Sequence, residues 1–324
     1  MIVKKILKRI NEKFNIFKIK ISSNFWMWLI DYDFTKKAII RKKLIKLLKG
    51  SKKIVGFYME CHIDIYREQL FESKEFKKKY ISINPFGTDV LSHIYGDKIN
   101  SLNIWKNIDI FIYNPGVPTK NGLISLNNVL DLLNANCKTI SVTNAAFKGY
   151  MPQHTNNIIG KKELFCWGDK NINELIENNN PEDDIKKLCD IKYYDEEYIN
   201  KYFEKSLKQM ENFEKKCTIK ISDYIKKFGK KRLLYLSVTH PGIEVMTEIS
   251  KRLCKELNLD IGCLRHGSKE LRIHEEAVYP SVANILGIDV KERKIVPGDY
   301  WEPMQFEEYI HNYYKAMKEL KYIK

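Results

Sequence analysis

The sequence predicts an α/β protein: a mainly parallel sheet with helices on both faces, a helical C-terminal portion and a basic helical N-terminal extension. Three observations favour this class. After residue 53, short apolar runs alternate with stretches of helical periodicity, and the runs are apolar enough to be buried on both sides. Reactive or turn-forming residues stand where the runs end, as expected where strands pass into helices or loops. With 324 residues, of which 44% are hydrophobic, the chain can bury a substantial core.

The predicted strands are short and mostly buried: Ile54–Met59, Tyr80–Asn84, Ile108–Tyr113, Lys138–Thr143 and Leu233–Thr239. Helical periodicity is clearest in three further stretches: 63–71, 124–134 and 243–257. A long helix is predicted from about Asp195 to Lys216, and Ser222 is the expected N-cap of another helix that ends at Gly229. Residues 160–195 are polar and contain Pro181, so we expect a loop-rich insertion there.

Most of the positive charge lies in residues 1–53, an extension that precedes a predicted catalytic domain over 54–324. The extension holds 16 Lys/Arg and 3 Asp/Glu, whereas the rest of the chain holds 40 and 38. Two basic amphipathic stretches flank the apolar run Phe25–Ile30, a pattern typical of a surface that rests on anionic lipid headgroups. The alternative is that these helices pack on the main domain and expose their lysines to water. Nucleic acid is not expected as a partner, because no recognised binding motif accompanies the charge.

The protein is expected to be cytoplasmic, with residues 1–50 holding it peripherally on the inner membrane face. The longest apolar run near the start has six residues, whereas about 20 are needed to span a bilayer. No signal-peptide cleavage pattern follows that run. Seven cysteines are scattered without a Cys-x-x-Cys pair, which favours reduced thiols and no metal site.

Candidate catalytic side chains stand at the ends of predicted strands. Cys61 and His62 lie between the first strand and a helix, whose dipole favours a thiolate; the alternative for Cys61 is a small buried hydrophobic residue. His240 follows the fifth predicted strand and could act as a general base, or else as a capping or packing histidine. His154 and His93 are secondary candidates.

Four further motifs follow Cys61 along the chain: Phe147-x-Gly149-Tyr150-x-Pro152, Ile219–Ile225, His240-Pro241 and Tyr279-Pro280-x-Val282-Ala283. In this order they resemble the WcbI-type polysaccharide-biosynthesis proteins, which are regarded as coenzyme-A-binding O-acetyltransferases. The similarity covers roughly residues 53 to 290. That family opens on Gly-Asn-Cys-Gln, whereas this chain has Met59-Glu60-Cys61-His62, so only the cysteine is kept.

The resemblance implies transfer of an acetyl group from acetyl-coenzyme A, as co-substrate, to a sugar hydroxyl during the biosynthesis of capsular or other surface polysaccharide. It implies His240 or His62 as the general base. Cys61 would be a transient acetyl carrier, or a turn residue whose backbone N–H helps to form the oxyanion hole. The acceptor would be a saccharide, free or lipid-linked.

The resemblance also implies where coenzyme A would lie. The pantetheine arm is expected along Lys148, Gly149 and Tyr150. A basic loop with Arg265 and Lys269 could meet the nucleotide phosphates, although such a loop is also compatible with simple solvation.

Two other classes of function stay open. A glycosyltransferase of the same pathway would also be α/β, basic and membrane-associated, but no Asp-x-Asp metal signature stands at a predicted strand end; Asp183-Asp184 lies in a polar, helix-like stretch. A non-catalytic membrane-surface scaffold would keep the fold after losing the opening motif. Loss of turnover on substituting Cys61 or His240 would separate an acetyltransferase from a scaffold.

Overall fold

The computed structural model describes residues 49–83, 102–117, 124–156, 165, 167–178, 180, 182–265, 275–297 and 302–322, so most of the basic extension lies outside the described residues. The described chain forms two compact units. The first unit runs to Val142 and also includes Cys217–Ile219 and the stretch from Ser250 to residue 265. The second unit holds the remaining described residues.

A four-stranded parallel sheet forms the centre of the first unit. Its strands are β1 (Lys53–Tyr58), β2 (Tyr80–Ile83), β3 (Ile110–Tyr113) and β4 (Lys138–Ser141). They lie in the order β2-β1-β3-β4, with Val55 of β1 opposite Ile110 of β3. Four of the predicted strands are therefore confirmed, and the sheet is parallel as the alternation of strands and helices predicted.

Helices cover both faces of this sheet. They are α1 (Ile63–Tyr66), continued by a π-helix (Arg67–Phe71), α2 (Lys74–Lys79), α3 (Leu102–Lys106) and α4 (Leu126–Leu132). On one face, Ile54 and Tyr58 of β1 share a buried core with residues of α3 and α4. On the opposite face, Phe57 meets Phe71 at a ring distance of 4.5 Å, and Phe71 meets Phe76 at 5.2 Å. Because successive strand residues point to opposite sides, both sides of β1 need apolar residues.

The second unit is mainly helical. Its elements are β5 (His154–Thr155), β6 (Gly168–Asp169), α5 (Lys170–Glu177), a 3-10 helix (Glu182–Cys189), α6 (Glu196–Glu214), α7 (Ser222–Phe228), α8 (Ile243–Glu256), α9 (Pro280–Leu286) and α10 (Phe306–Tyr322). The residues of α8 from Ser250 onward belong to the first unit. The long helix and the helical C-terminal portion that the sequence predicted are both present. Within 160–195, predicted as loop-rich, the described residues include two helical segments.

Distant segments of the chain complete the first unit. The carbonyl of Ser141 accepts hydrogen bonds from the backbone N–H groups of Thr218 and Ile219, both at 2.9 Å. Ile219 also forms an isolated parallel bridge with Val142. At the other edge of the sheet, the Tyr80 hydroxyl donates to the carbonyl of Leu257 at 2.6 Å.

The predicted N-cap at Ser222 is wrong. In the structure α7 begins at Ser222 itself, and Ile221 occupies the N-cap position without a side-chain cap. Both carboxylate oxygens of the buried Glu214 accept from the start of α7 instead, at 2.7 Å from Ile221 N and 3.1 Å from Ser222 N. Glu214 belongs to α6, so a tertiary contact caps this helix. Two charge-assisted hydrogen bonds to one carboxylate outweigh a single serine hydroxyl.

The fifth predicted strand, Leu233–Thr239, is also wrong. Its backbone folds back on itself, because Leu236 N donates to the carbonyl of His240 at 2.8 Å and His240 N donates to that of Ser237 at 3.2 Å. A distant segment also bonds to this backbone: Phe147 N donates to the carbonyl of Val238 at 2.8 Å. The segment is apolar because it is buried, but its hydrogen bonds go to loops.

Candidate active site

The strand order marks one edge of the parallel sheet as the place for a ligand. The chain passes from β1 outward to β2 on one side and to β3 and β4 on the other, so the order reverses between β1 and β3. In open α/β sheets ligands bind beyond the carboxyl ends of the strands at such a point. Glu60, Cys61 and His62 follow β1 directly at this edge.

These three residues form the turn that begins α1. The carbonyl of Glu60 accepts from Ile63 N at 3.1 Å, and the carbonyl of Cys61 accepts from Asp64 N at 3.0 Å. His62 occupies the N-cap position in helical conformation and makes no side-chain cap. Its side chain is buried, with only 3% of the residue exposed, whereas Glu60 and Cys61 are half-buried. Cys61 is thus the more exposed of the two reactive residues predicted here.

Asn114 holds this turn in place, and the sequence reasoning missed it. It follows β3 directly, is 1% exposed, and accepts through Oδ1 from Glu60 N at 3.3 Å. Its Nδ2 donates to the carbonyl of Val142 at 3.0 Å, and its backbone N–H donates to that of Tyr58, also at 3.0 Å. One amide therefore ties the ends of β1, β3 and β4 together. The run Asn-Pro-Gly after an apolar strand was the signal available in the sequence.

Tyr66 brings a buried phenol to the same edge. It is fully buried in α1, and its hydroxyl has no hydrogen-bond partner among the described residues. Burial raises the pKa of Tyr66, and the nearby negative charge of a Cys61 thiolate raises it further. A neutral O–H therefore stands in the neighbourhood of the thiol, where it can donate a hydrogen bond.

Arg265 lies in the first unit but is held by other partners. Its backbone N–H donates to the carbonyl of Gln69 at 2.9 Å, and its guanidinium lies 3.3 Å from the carboxylate of Glu72. The side chain is 57% exposed, so it remains accessible to an anion. Lys269, the other predicted phosphate ligand, lies outside the described residues.

The segment predicted to hold pantetheine lies in the second unit. Lys148 is exposed, whereas Tyr150 is fully buried and its hydroxyl donates to the carbonyl of Gly229 at 2.8 Å and to that of Arg232 at 3.2 Å. A Cβ on Gly149 would lie 2.3 Å from the ring of Phe147, so the residue must be glycine for this loop to close.

Three of the sequence motifs meet in the second unit. The loop after Phe147 reaches the segment before His240, and Gln153 Nε2 donates to the carbonyl of Ala277 at 2.7 Å. His154 Nδ1 lies 2.5 Å from Glu276 Oε1, and Glu276 Oε2 accepts from Val238 N at 2.7 Å. His240 itself is half-buried beside this junction, in the folded-back segment described above. The structure thus groups Cys61 and His62 in one unit, and Lys148, Gly149, Tyr150 and His240 in the other.

In the stretches that the structure describes, no group of three or more His, Cys, Asp or Glu side chains is arranged to hold a metal ion. Within the same stretches, no helix combines the length and apolarity needed to cross a membrane.

Comparisons with known proteins identify a family and a similar fold. The family model for the polysaccharide biosynthesis enzyme WcbI matches residues 97–261, a range that contains Asn114 and His240 and begins after Cys61. A solved structure of WcbI is similar, with a TM-score of 0.65 and 14% sequence identity, over 83% of this chain and 90% of that one. It is described as a novel polysaccharide biosynthesis enzyme, in a native form without the disulfide bond between coenzyme A and a cysteine. No curated protein sequence gave a significant match.

Proposed function

Because the chain belongs to the WcbI family of polysaccharide biosynthesis enzymes, we propose that it transfers an acetyl group from acetyl-coenzyme A to a saccharide hydroxyl. The observation that carries this proposal is the position of Cys61, half-buried at the carboxyl edge of the parallel sheet where the strand order reverses. The related WcbI structure is described by reference to a disulfide bond between coenzyme A and one of its cysteines. A half-buried cysteine at the edge of the sheet where such folds bind their ligands supports coenzyme A as the ligand.

The reaction exchanges one acyl bond for another. The thioester C–S bond of acetyl-coenzyme A breaks, a C–O bond to the saccharide forms, and the hydroxyl proton ends on the coenzyme thiol. The protein must accept that proton and stabilise the oxyanion of the tetrahedral intermediate. Cys61 serves either through its sulfur, as a transient acetyl carrier, or through its backbone N–H, as an oxyanion donor. These roles differ in a testable way, because Cys61→Ala removes the sulfur and keeps the N–H.

The roles of the other residues are assigned from their position, their exposure and the hydrogen bonds that they already make. His62, next to Cys61, and His240 are the histidines proposed as the base. Lys148 of the second unit and Arg265 of the first are each exposed, and an exposed cation suits a coenzyme phosphate. The Tyr150 hydroxyl already donates to two backbone carbonyls, so we assign Tyr150 and Gly149 to shaping the loop that carries Lys148.

The basic extension completes the proposal. If the acceptor is lipid-linked, residues 1–50 hold the enzyme on the anionic inner face of the membrane by their excess of Lys and Arg. Co-sedimentation with vesicles containing anionic lipid tests this: removing residues 1–50 should abolish it. Undiminished sedimentation of the shortened chain would refute the membrane role and leave the acetyl-transfer proposal untouched.

Calorimetric titration of the full chain with coenzyme A, acetyl-coenzyme A and a set of nucleotide-sugars tests the assignment. We expect binding of both coenzyme forms and a weaker affinity in Cys61→Ala. The matched control is Cys137→Ala, which removes another half-buried thiol away from this edge. Binding of a nucleotide-sugar without coenzyme A would instead indicate glycosyl transfer, and binding of neither would favour the scaffold.

A further inference from the structure

A histidine and a glutamate form a buried hydrogen-bonded pair in the second unit. His154 Nδ1 and Glu276 Oε1 lie 2.5 Å apart, and only 4% and 5% of the two side chains are exposed. The second carboxylate oxygen accepts from Val238 N at 2.7 Å, and the backbone N–H of Glu276 donates to the carbonyl of Leu236 at 2.8 Å. One contact therefore holds the carboxylate of Glu276 and the other holds its backbone.

These contacts determine which ring nitrogen of His154 is basic. Oε1 of an ionised carboxylate can only accept, so Nδ1 carries the proton that the two groups share. Nε2 is then the nitrogen with a lone pair, and among the described residues it makes no hydrogen bond. A carboxylate at Nδ1 fixes this tautomer, so Nε2 is the ring atom that can take up a proton.

The surroundings of the pair contain further polar atoms that the described protein leaves without partners. Trp167 lies against His154 with the ring centres 5.2 Å apart, and its Nε1 has no acceptor in the described structure. Gln153 Oε1 and Ser237 Oγ are also buried and have no partner among the described residues. Gln153 precedes His154, and Ser237 precedes the Val238 that holds Glu276. A buried polar atom without a partner costs about 1–3 kcal/mol, so a cluster of them suits a ligand with many hydroxyls.

We propose that His154 and Glu276 bind and activate the acceptor of the transfer reaction, with a saccharide hydroxyl as the ligand. His154 Nε2 takes the proton of that hydroxyl while its oxygen forms a bond to the acetyl carbon. The C–S bond of the thioester breaks with its electron pair on sulfur, and the proton then passes from His154 to the departing thiolate. Glu276 is a positioning residue, because it acts through His154. This inference rests on the proposed function, and it makes His154, one of the secondary candidates in the sequence, the base in place of His62 or His240.

Other charged and titratable groups lie near the pair and enter the design of the test. The Arg293 guanidinium donates to the backbone carbonyl of Glu276 at 3.4 Å. Burial raises the pKa of Tyr202 and of Tyr309, and the negative charge of Glu276 raises both further. Asp169 stands opposite His154 in the β5–β6 pair. Burial raises the pKa of Asp169 to about 7, so its titration overlaps the range expected of a histidine.

The first measurement is release of coenzyme thiol from acetyl-coenzyme A by the full chain, with simple hexoses as added acceptors, from pH 5 to 9. His154→Gln should lower kcat on the order of 100-fold while KM for acetyl-coenzyme A changes by less than about twofold. Glu276→Gln, which keeps an acceptor for Val238, should lower kcat by a smaller factor than His154→Gln and leave KM for acetyl-coenzyme A within about twofold of the wild-type value, because Glu276 orients the base and does not touch the substrate. His311→Gln, an exposed histidine on α10, is the matched control and should keep wild-type kcat.

The second measurement is independent of turnover. Nitrogen chemical shifts of labelled histidines are followed while a hexose is added, and His154 is assigned by the signal missing in His154→Gln. A shift at His154 without any thiol release would support the saccharide site and refute acetyl transfer. Thiol release that persists in His154→Gln with an unchanged pH profile would overturn the role of the pair while acetyl transfer stands.

Discussion

Asp169 should make the protein less stable as the pH rises from mildly acidic to mildly alkaline. It is 1% exposed and caps α5, accepting from Asn171 N at 3.0 Å and Ile172 N at 3.2 Å, while the Tyr279 hydroxyl donates to its other oxygen at 2.9 Å. Burial raises its pKa from 3.8 to about 7, although these hydrogen bonds act in the opposite direction. The folded chain therefore keeps a proton that the unfolded chain releases near pH 4.

The sign and size of the effect follow from this difference in pKa. The free energy of unfolding is highest below the unfolded pKa of 3.8 and falls until the pH passes the folded pKa of about 7. Roughly three pKa units correspond to about 4 kcal/mol as an upper limit. About 2–3 kcal/mol of that should be lost between pH 5 and pH 8. Asp169→Asn keeps a capping oxygen but never ionises, so its stability should not fall in this way.

Urea unfolding of the wild type and of Asp169→Asn, at pH 5 and at pH 8, checks the argument. The variant should gain about 2–3 kcal/mol on the wild type between these two pH values. Asp195→Asn is the matched control, because Asp195 also caps a helix, accepting from Tyr198 N at 2.9 Å, but is exposed. Parallel stability curves for the wild type and Asp169→Asn would refute the reasoning.

Two further predictions concern a buried group that lacks a hydrogen-bond partner among the described residues and a buried group that accepts two hydrogen bonds. Tyr66→Phe removes a buried hydroxyl that has no partner among the described residues, so urea unfolding should show an unchanged free energy or a gain of about 1 kcal/mol; a loss of that size would reveal a partner. Glu214→Ala leaves the N–H groups of Ile221 and Ser222 without their acceptor and should cost about 1–3 kcal/mol in the same assay. Glu197→Ala, on the exposed face of the same helix, should change stability by less than about 0.5 kcal/mol, and an equal loss there would contradict the capping role.

The sequence was most informative where burial on both faces of an element determined its composition. Ile54 to Tyr58 had to be apolar throughout, because helices cover both sides of β1. Such runs can be recognised as buried strands from the sequence alone. Leu233–Thr239 is equally apolar, but a run of this length does not show whether its N–H and C=O groups meet a neighbouring strand or a loop. Its hydrogen bonds to Phe147 and Glu276 come from distant parts of the chain, which no local pattern reveals.

The same limit applies to the candidate site. Cys61 and His62 could be placed at a strand end from local pattern alone, and the strand lies where it was predicted. Asn114 could not be found in this way, since its importance comes from joining three strand ends that are far apart in the sequence. Glu276 was missed for a similar reason: a glutamate in a polar stretch gives no sign that a histidine 122 residues away lies within hydrogen-bond distance.

The contact of β4 with Thr218 and Ile219 has a consequence for the order in which the protein can form during synthesis. Ser141 and Thr218 are 77 residues apart, so β4 leaves the ribosome well before the segment that covers its outer side. At the usual pace of roughly 5–20 residues per second, the strand has an open edge for several seconds. An open edge of a sheet can pair with another chain. The β4 edge of the nascent protein is therefore open to misassociation until residue 218 is made.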